Sequence, residues 1–150
     1  MYLFLGGALD MAAGLEVLVI DDDAVARMAI RRYLAAAEPG YAVLEAETGE
    51  DGAALLSSRA FGCVFLDYRL PDMDGIALLR RFYDIDTGTM PAPFVMMTGQ
   101  SGEGVMVEAL RWGVHDFIFK SNITGDTLLT ALKKAREIFE LRKMRSLMEE

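Results

Sequence analysis

The chain has 150 residues, a hydrophobic share of 53% and a formal net charge of −8. This length fits one domain with a substantial core, and the hydrophobic share excludes a disordered chain. The negative charge argues against a direct electrostatic contact with nucleic acid, and the single cysteine, Cys63, excludes an intramolecular disulfide and a two-cysteine zinc site.

The first 14 residues, MYLFLGGALDMAAG, are apolar but do not have the pattern of a signal peptide. They contain no Lys or Arg, and Asp10 interrupts their short apolar run. We expect residues 1–14 to form an extension outside the core fold, which then occupies residues 15–148. Because no uncharged run reaches membrane-spanning length, we expect a cytoplasmic protein without a membrane partner.

The first strand and helix are predicted directly after this extension. The apolar run at 15–20 predicts a strand, and residues 24–38 predict a helix with Asp23 as its N-cap. Pro39 and Gly40 end this helix. The residues that we expect to face the core are Val25, Met28, Ala29 and Leu34.

The same alternation of strand and helix continues along the chain. Further strands are predicted at 41–47, 63–67, 94–98 and 116–120, and further helices at 48–60, 76–85, 102–113 and 124–148. The strands are continuous apolar runs, which is typical of a parallel sheet covered on both faces. Five strands alternating with five helices predict a doubly wound α/β fold, whose ligands bind beyond the carboxyl ends of the strands.

Polar residues stand at those carboxyl ends. Asp21 and Asp22 follow the first strand, and Asp67 ends the third. Thr98 ends the fourth strand and Lys120 the fifth. Clustered carboxylates suit a hard cation such as Mg²⁺, which also removes their mutual repulsion. An aspartate can accept a phosphoryl group as a nucleophile, and a metal, an ammonium and a hydroxyl cancel the charge of the transferred oxygens.

Four segments together resemble the response-regulator receiver domain of two-component signalling. They read VLVIDDD, VFLDYRLPDMDG, VMMTGQ and DFIFK. The resemblance covers roughly residues 15–145. It implies a flavodoxin-like sheet of five parallel strands in the order 2-1-3-4-5, with five helices on its two faces. It also implies a signalling switch that catalyses only its own phosphorylation and dephosphorylation, rather than an enzyme with a separate substrate.

The resemblance assigns roles to the residues around the predicted metal. Asp67 falls on the phosphoacceptor of the family. Asp21 and Asp22 fall on its acidic pair, of which Asp22 is the direct Mg²⁺ ligand. Arg69, two residues after the phosphoacceptor, contributes its backbone carbonyl to the metal. The resemblance therefore implies a Mg²⁺ site made by Asp21, Asp22, Asp67 and Arg69.

The remaining roles fall on the last two strands. Thr98 matches the hydroxyl and Lys120 the ammonium that hold the phosphoryl group. Phe117 matches an aromatic residue whose rotamer reports activation, and a core position on the fifth strand is the alternative for it. The sequence departs from the family at Ser121, where a proline with a cis peptide bond is usual. Without that proline we expect a trans peptide there.

The resemblance also implies partners. His115 is the only histidine, and it precedes the fifth strand instead of lying on a helix as a phosphohistidine donor would. We therefore expect the phosphoryl group to come from a sensor histidine kinase or phosphotransfer protein, and His115 to be a surface loop residue. We expect no direct contact with nucleic acid, and output through a downstream protein target or output domain.

The last helix is unusually long. Residues 136–150 are expected to project beyond the domain, with Ile138, Leu141, Met144 and Leu147 or Met148 at helical spacing. Two interpretations stay open for this end. One is a solvated, charged helix end, and the other is a dimerising helix that makes the protein a homodimer.

Three other functions compete with the signalling switch. A pseudo-receiver would keep the fold as a binding module without phosphorylation. A Mg²⁺-dependent phosphatase with an aspartyl-phosphate intermediate would normally carry a second Asp two residues after the first, where this chain has Arg69. A flavin-binding flavodoxin-like protein needs a phosphate loop after the first strand, and the acidic DDDAVAR segment would repel a phosphate.

Overall fold

The computed structural model of the chain describes residues 15–37, 40–99 and 103–149. The predicted extension 1–14 lies outside the described residues. The strands are β1 (Glu16–Ile20), β2 (Ala42–Ala46), β3 (Cys63–Asp67), β4 (Phe94–Thr98) and β5 (Asp116–Phe119). The helices are α1 (Ala24–Ala35), α2 (Gly49–Ser58), α3 (Gly75–Phe82), α4 (Glu103–Arg111) and α5 (Gly125–Met148), and a 3₁₀-helix (Lys120–Asn122) precedes α5.

The five strands form one sheet in the order β2-β1-β3-β4-β5. Every neighbouring pair is parallel. The predicted doubly wound sheet of order 2-1-3-4-5 is therefore confirmed. Because all strands run in one direction, their carboxyl ends lie at one edge of the sheet. The strand order reverses at β1 and β3, and this switch point is where open α/β sheets bind ligands.

Two apolar layers cover the sheet. On one face Val19 and Phe65 pack with Ile30 of α1 and Leu128 of α5. On the other face the intervening strand residues pack against α2, α3 and α4. Every residue of β3 is buried, and so are four of the five in β1. Burial on both faces explains why these strands read as continuous apolar runs.

Side-chain caps begin four of the helices at the carboxyl edge, namely α1, α2, α3 and α5. Asp23 caps α1, since its Oδ1 accepts the N–H of Val25 at 2.9 Å. Thr48 caps α2 in the same way, accepting the N–H of Asp51 at 3.0 Å. Asp74 accepts the N–H of Ala77 at 2.8 Å, and Thr124 caps α5. Each cap satisfies an N–H group that the helix itself leaves unpaired, which fixes the loops around the edge.

The predicted core face of α1 is partly wrong. Leu34 is buried as expected, but Val25 is 75% exposed and Met28 is 52% exposed, and Ile30 takes their place in the core. This helix carries apolar residues on two sides, so its periodicity alone does not tell which side meets the sheet. Packing against α5 and the first strand selects the side that carries Ile30 and Leu34.

The third helix ends earlier than predicted. The sequence pattern extends it to residue 85, whereas α3 ends at Phe82. The carboxylate of Asp84 accepts the N–H of Asp86 at 2.9 Å and that of Thr87 at 3.3 Å. These local bonds give the backbone an alternative to a further helical turn. In the described parts of the chain, no helix has the length and apolar character needed to cross a membrane.

The expectation that His115 lies on the surface is wrong. Its side chain is 4% exposed, and its Nδ1 accepts the N–H of Phe94 at 2.9 Å. The ring meets the ring of Phe139 on α5 edge-on, with 5.8 Å between centroids. Burial, with the nearby Arg142 guanidinium adding to it, lowers the pKa of His115 to about 3. The fourth and fifth strands and α5 therefore enclose a neutral imidazole.

This burial predicts a pH-dependent loss of stability. The unfolded chain takes up a proton on His115 near its ordinary pKa of 6.5, whereas the folded chain stays neutral there until about pH 3. Stability should therefore fall as the pH drops below 6.5, by at most about 1.4 kcal/mol per pH unit. Urea unfolding at pH 7 and pH 5 measures this loss.

The matched variant is His115→Gln, which keeps an acceptor for the N–H of Phe94 but does not titrate. Its free energy of unfolding should fall less than that of the wild type between pH 7 and pH 5. Equal losses in the two proteins would contradict a neutral, buried His115.

Candidate functional site

The ends of β1, β3, β4 and β5 surround a cleft of about 600 Å³ at the carboxyl edge of the sheet. The predicted site residues that line it are Asp22, Asp67, Arg69, Thr98 and Lys120. Asp21 is fully buried and contacts the cleft through the ammonium of Lys120. The tertiary structure thus brings together the carboxylates, the hydroxyl and the ammonium that the sequence places at four separate strand ends.

Three carboxylates form the acidic part of the cleft. One oxygen from each of Asp21, Asp22 and Asp67 lies within 4.8 Å of the others. Asp21 and Asp67 are buried, whereas Asp22 is exposed. Burial, helped by the negative charge of Asp21, raises the pKa of Asp67 to about 6 although Lys120 opposes the shift. The group has the oxygen ligands and the uncompensated negative charge that suit a hard divalent cation.

Lys120 bridges two of these carboxylates. Its Nζ lies 2.9 Å from Oδ2 of Asp67 and 2.9 Å from Oδ2 of Asp21. Burial alone would lower the pKa of this ammonium, but its contacts with Asp21 and Asp67 hold the pKa above the usual value. Lys120 is the first residue of the 3₁₀-helix rather than the last of the fifth strand, because the strand ends at Phe119, one residue earlier than predicted.

The backbone of Arg69 faces the same carboxylate from the other side. Its N–H donates to Oδ1 of Asp67 at 3.3 Å. Arg69 also forms an isolated antiparallel bridge with Asp74. The two hydrogen bonds of that bridge are made by the neighbours of this pair and not by Arg69 and Asp74 themselves. In such a pair the N–H and C=O groups point away from the partner. The Arg69 carbonyl is therefore directed to the side of Asp67.

Thr98 and Phe117 occupy different parts of the sheet. Thr98 ends the fourth strand, is 5% exposed and lines the cleft. Phe117 lies further back, opposite Met96 in the strand register. It is partly buried and packs against the core layer that includes α4. The aromatic ring is thus a neighbour of the core under α4 and does not line the cleft.

Arg27 is a site residue that the sequence analysis missed. Its Nη1 donates to the backbone carbonyl of Asp21 at 2.6 Å, and its Nε donates to Oε1 of Glu45 at 2.7 Å. Burial would raise the pKa of Glu45, but Arg27 and Arg31 bring the pKa below its usual value. Arg27 thereby ties the loop after the first strand to the second strand and adds positive charge to the acidic cluster. A cation one turn into the helix after three aspartates is the signal that could have identified it.

Asp72 is a second residue whose contacts were not foreseen. The sequence analysis gives Asp72 no role, but its carboxylate accepts the N–H groups of Gly49 and Glu50 at the start of α2. Both hydrogen bonds lower the pKa of Asp72 below its usual value, and the bond from Gly49 has the larger effect. The sequence holds no local signal for this pairing, because the partners lie more than twenty residues apart.

The geometry agrees with comparisons to known proteins. A model of the response regulator receiver domain matches residues 17–133. The chain is 33% identical over 127 residues to the C4-dicarboxylate transport transcriptional regulatory protein DctD of Rhizobium meliloti, covering 85% of this chain and 26% of DctD. It is 36% identical over 117 residues to the transcriptional regulatory protein FixJ of Bradyrhizobium diazoefficiens, covering 78% of this chain and 54% of FixJ.

Solved structures give the same fold. The crystal structure of a CheY-like response regulator receiver domain protein from Methanospirillum hungatei superposes with a TM-score of 0.71 and 25% identity, covering 89% of this chain and 99% of that one. By contrast, the chain spans only about a quarter to about half of the length of DctD and FixJ. The similarity therefore concerns one domain of those regulators.

The position of Arg27 predicts a difference between two arginines that share Glu45. Arg27→Ala should lower the free energy of unfolding by about 2–3 kcal/mol, because it leaves the carbonyl of Asp21 and one oxygen of Glu45 without their charged donor. Arg31→Ala removes the other contact to Glu45, but the side chain of Arg31 is 48% exposed compared with 11% for Arg27. That variant should cost less than about 1 kcal/mol.

Urea unfolding of the two variants beside the wild type measures both costs. Equal costs would contradict the anchoring role of Arg27, since Arg31 makes no contact with the loop after the first strand among the described residues.

Proposed function

The chain belongs to the response regulator receiver domain family, and we propose from that membership that it is a switch phosphorylated on Asp67 in the presence of Mg²⁺. The observation that carries the proposal is the contact of Lys120 with Asp67 and Asp21 beside the cleft at the switch point of the sheet. An ammonium at this position can stay with Asp67 before and after the carboxylate accepts a phosphoryl group.

The acidic residues supply the metal site in this proposal. Asp22, Asp67 and the carbonyl of Arg69 would hold the ion, with Asp21 assisting. Their oxygens fit a hard cation by ligand type, and the mutual approach of the three carboxylates supports its presence. A bound Mg²⁺ would neutralise charge on the transferred oxygens.

The chemical step is a transfer between two side chains. A carboxylate oxygen of Asp67 attacks the phosphorus of a phosphohistidine on the partner protein. The new O–P bond forms as the P–N bond breaks, and the histidine nitrogen leaves with its electron pair. Lys120 and the hydroxyl of Thr98 then bind phosphoryl oxygens. The product is a mixed anhydride that water hydrolyses, so the domain returns to its starting state.

The output of the switch follows from where these residues lie. Thr98 and Lys120 stand at the ends of two neighbouring strands, and Phe117, on one of these strands, packs against the core layer that includes α4. We place the change between two states on the face made by α4, the fifth strand and α5. The partners are a sensor histidine kinase or phosphotransfer protein, which donates the group in the cytoplasm, and a downstream protein target or output domain, which reads the face.

A homodimer through the last helix is part of the proposal. The final turns of α5 carry four exposed apolar side chains, namely Leu141 (60% exposed), Met144 (58%), Leu147 (68%) and Met148 (83%). The buried residues of this helix, in contrast, lie between Leu128 and Ala135. The projecting end thus offers an apolar stripe that a second copy of the helix can cover.

Phosphorylation is tested by intact-mass spectrometry after incubation with acetyl phosphate. The wild type should gain one phosphoryl group only when Mg²⁺ is present, and Asp67→Asn should gain none, because an amide is not a nucleophile of this kind. Asp84→Asn is the matched control, since Asp84 lies in the loop after α3, outside the cleft, and this variant should still be phosphorylated.

Two outcomes would contradict the proposal. A wild-type protein that binds Mg²⁺ but accepts no phosphoryl group from acetyl phosphate or from a kinase would be a pseudo-receiver. An adduct that persists in Asp67→Asn would place the phosphoacceptor elsewhere in the chain.

The dimer is tested by the molar mass in solution. Size-exclusion chromatography with light scattering should give twice the mass of the chain, and the double variant Leu141→Glu with Met144→Glu should give one chain, because like charges replace the apolar contact. A wild type that is monomeric at every concentration tested would exclude this interface.

A further inference from the structure

We propose that Asp72 is a positioning residue for the metal-binding end of the cleft. Its carboxylate clamps the loop between β3 and α3 onto the start of α2, and this clamp sets the place of the Arg69 carbonyl. The inference rests on the proposed function, because it concerns an oxygen that would hold Mg²⁺ there.

The clamp consists of two hydrogen bonds to the same helix end. Oδ1 of Asp72 accepts the N–H of Gly49 at 2.8 Å, and Oδ2 accepts the N–H of Glu50 at 2.9 Å. Thr48 accepts the next N–H, that of Asp51. The first three N–H groups of the helix are thus all satisfied by side chains, and two of them by a residue of another loop. A carboxylate is also favoured there by the helix dipole.

A packing contact also holds the same loop on α2, and an ion pair holds the following helix, α3, there. The side chain of Met73 lies so close to Gly49 that a Cβ at that glycine would come within 2.5 Å of the Met73 sulfur. Glu50 also pairs with Arg81 of α3 at 2.9 Å. The loop is therefore packed closely against the helix end, in a way that only a residue without a side chain at position 49 allows.

The clamped segment is directly bonded to the metal-binding segment. The N–H of Leu70 donates to the carbonyl of Met73 at 3.2 Å, and Arg69 pairs with Asp74 in the bridge. Asp72 thus lies in the turn of a short hairpin that has Arg69 in one arm and Met73 and Asp74 in the other. A shift of the turn moves both arms, and with them the Arg69 backbone, whose N–H donates to Asp67.

Small shifts matter at this point because Mg²⁺ requires near-ideal octahedral geometry at about 2.0–2.1 Å. Residues that orient metal ligands without touching the metal typically change affinity by about 10- to 100-fold when they are replaced. Asp72 is exposed and lines no part of the cleft. Its effect on the metal would therefore act through the hairpin.

The test compares Asp72 with Thr48, which caps the same helix but makes no contact with the hairpin among the described residues. Mg²⁺ affinity of the full chain is measured by isothermal titration calorimetry, and the melting temperature is measured in parallel without the metal. Asp72→Ala should weaken Mg²⁺ binding by about 10-fold. Thr48→Ala should lower the melting temperature as much as Asp72→Ala does, but it should leave the Mg²⁺ affinity unchanged.

Asp72→Asn provides a second variant, in which the new side chain has the same size as that of aspartate. Its amide oxygen can accept one of the two N–H groups, so its Mg²⁺ affinity should lie between those of the wild type and Asp72→Ala. The inference is overturned if both Asp72 variants bind Mg²⁺ as the wild type does, or if Thr48→Ala weakens binding as much as Asp72→Ala. A wild type that binds no Mg²⁺ would overturn the proposed function as well.

Discussion

The contact of the Lys120 ammonium with two buried carboxylates is the interaction on which the site depends. Asp21 and Asp67 are buried and lie close together, and burial, with the negative charge of Asp21 adding to it, raises the pKa of Asp67. Lys120 lies 2.9 Å from both and offsets part of this repulsion. Removing one partner of such a buried group typically costs about 3–5 kcal/mol, so the arrangement persists only as a complete set.

The loops around this contact are fixed from outside the cleft. Arg27 donates to the carbonyl of Asp21 and to Glu45, which holds the end of the first strand against the second. Asp72 holds the loop after the third strand against α2. Neither Arg27 nor Asp72 contacts the ammonium of Lys120. Arg27 is bonded to the segment that carries the acidic pair, and Asp72 belongs to the loop that carries the Arg69 carbonyl. The hydrogen bonds of these two charged side chains, both outside the contact with Lys120, therefore hold the charged site in place.

Much of the fold and of the candidate site is predictable because the signals are local. Continuous apolar runs identify the strands, and the parallel arrangement then places their carboxyl ends at one edge. Asp22, Thr98 and Lys120 could be assigned to one cleft on that basis alone. The N-cap Asp23 is likewise identified from its position before a helical pattern, because a cap bonds to a backbone group only two or three residues away.

The sequence by itself thus determined the order of strands and helices and the residue types at the cleft, and its resemblance to the receiver-domain family implied the strand order of the sheet. Only the tertiary structure decided which side of α1 faces the core, that His115 is buried beneath Phe139, and that Asp72 reaches α2. The physical reason is the distance along the chain. Periodicity and capping act over one or two turns, whereas these contacts join segments that are far apart in sequence and meet only when the helices pack on the sheet.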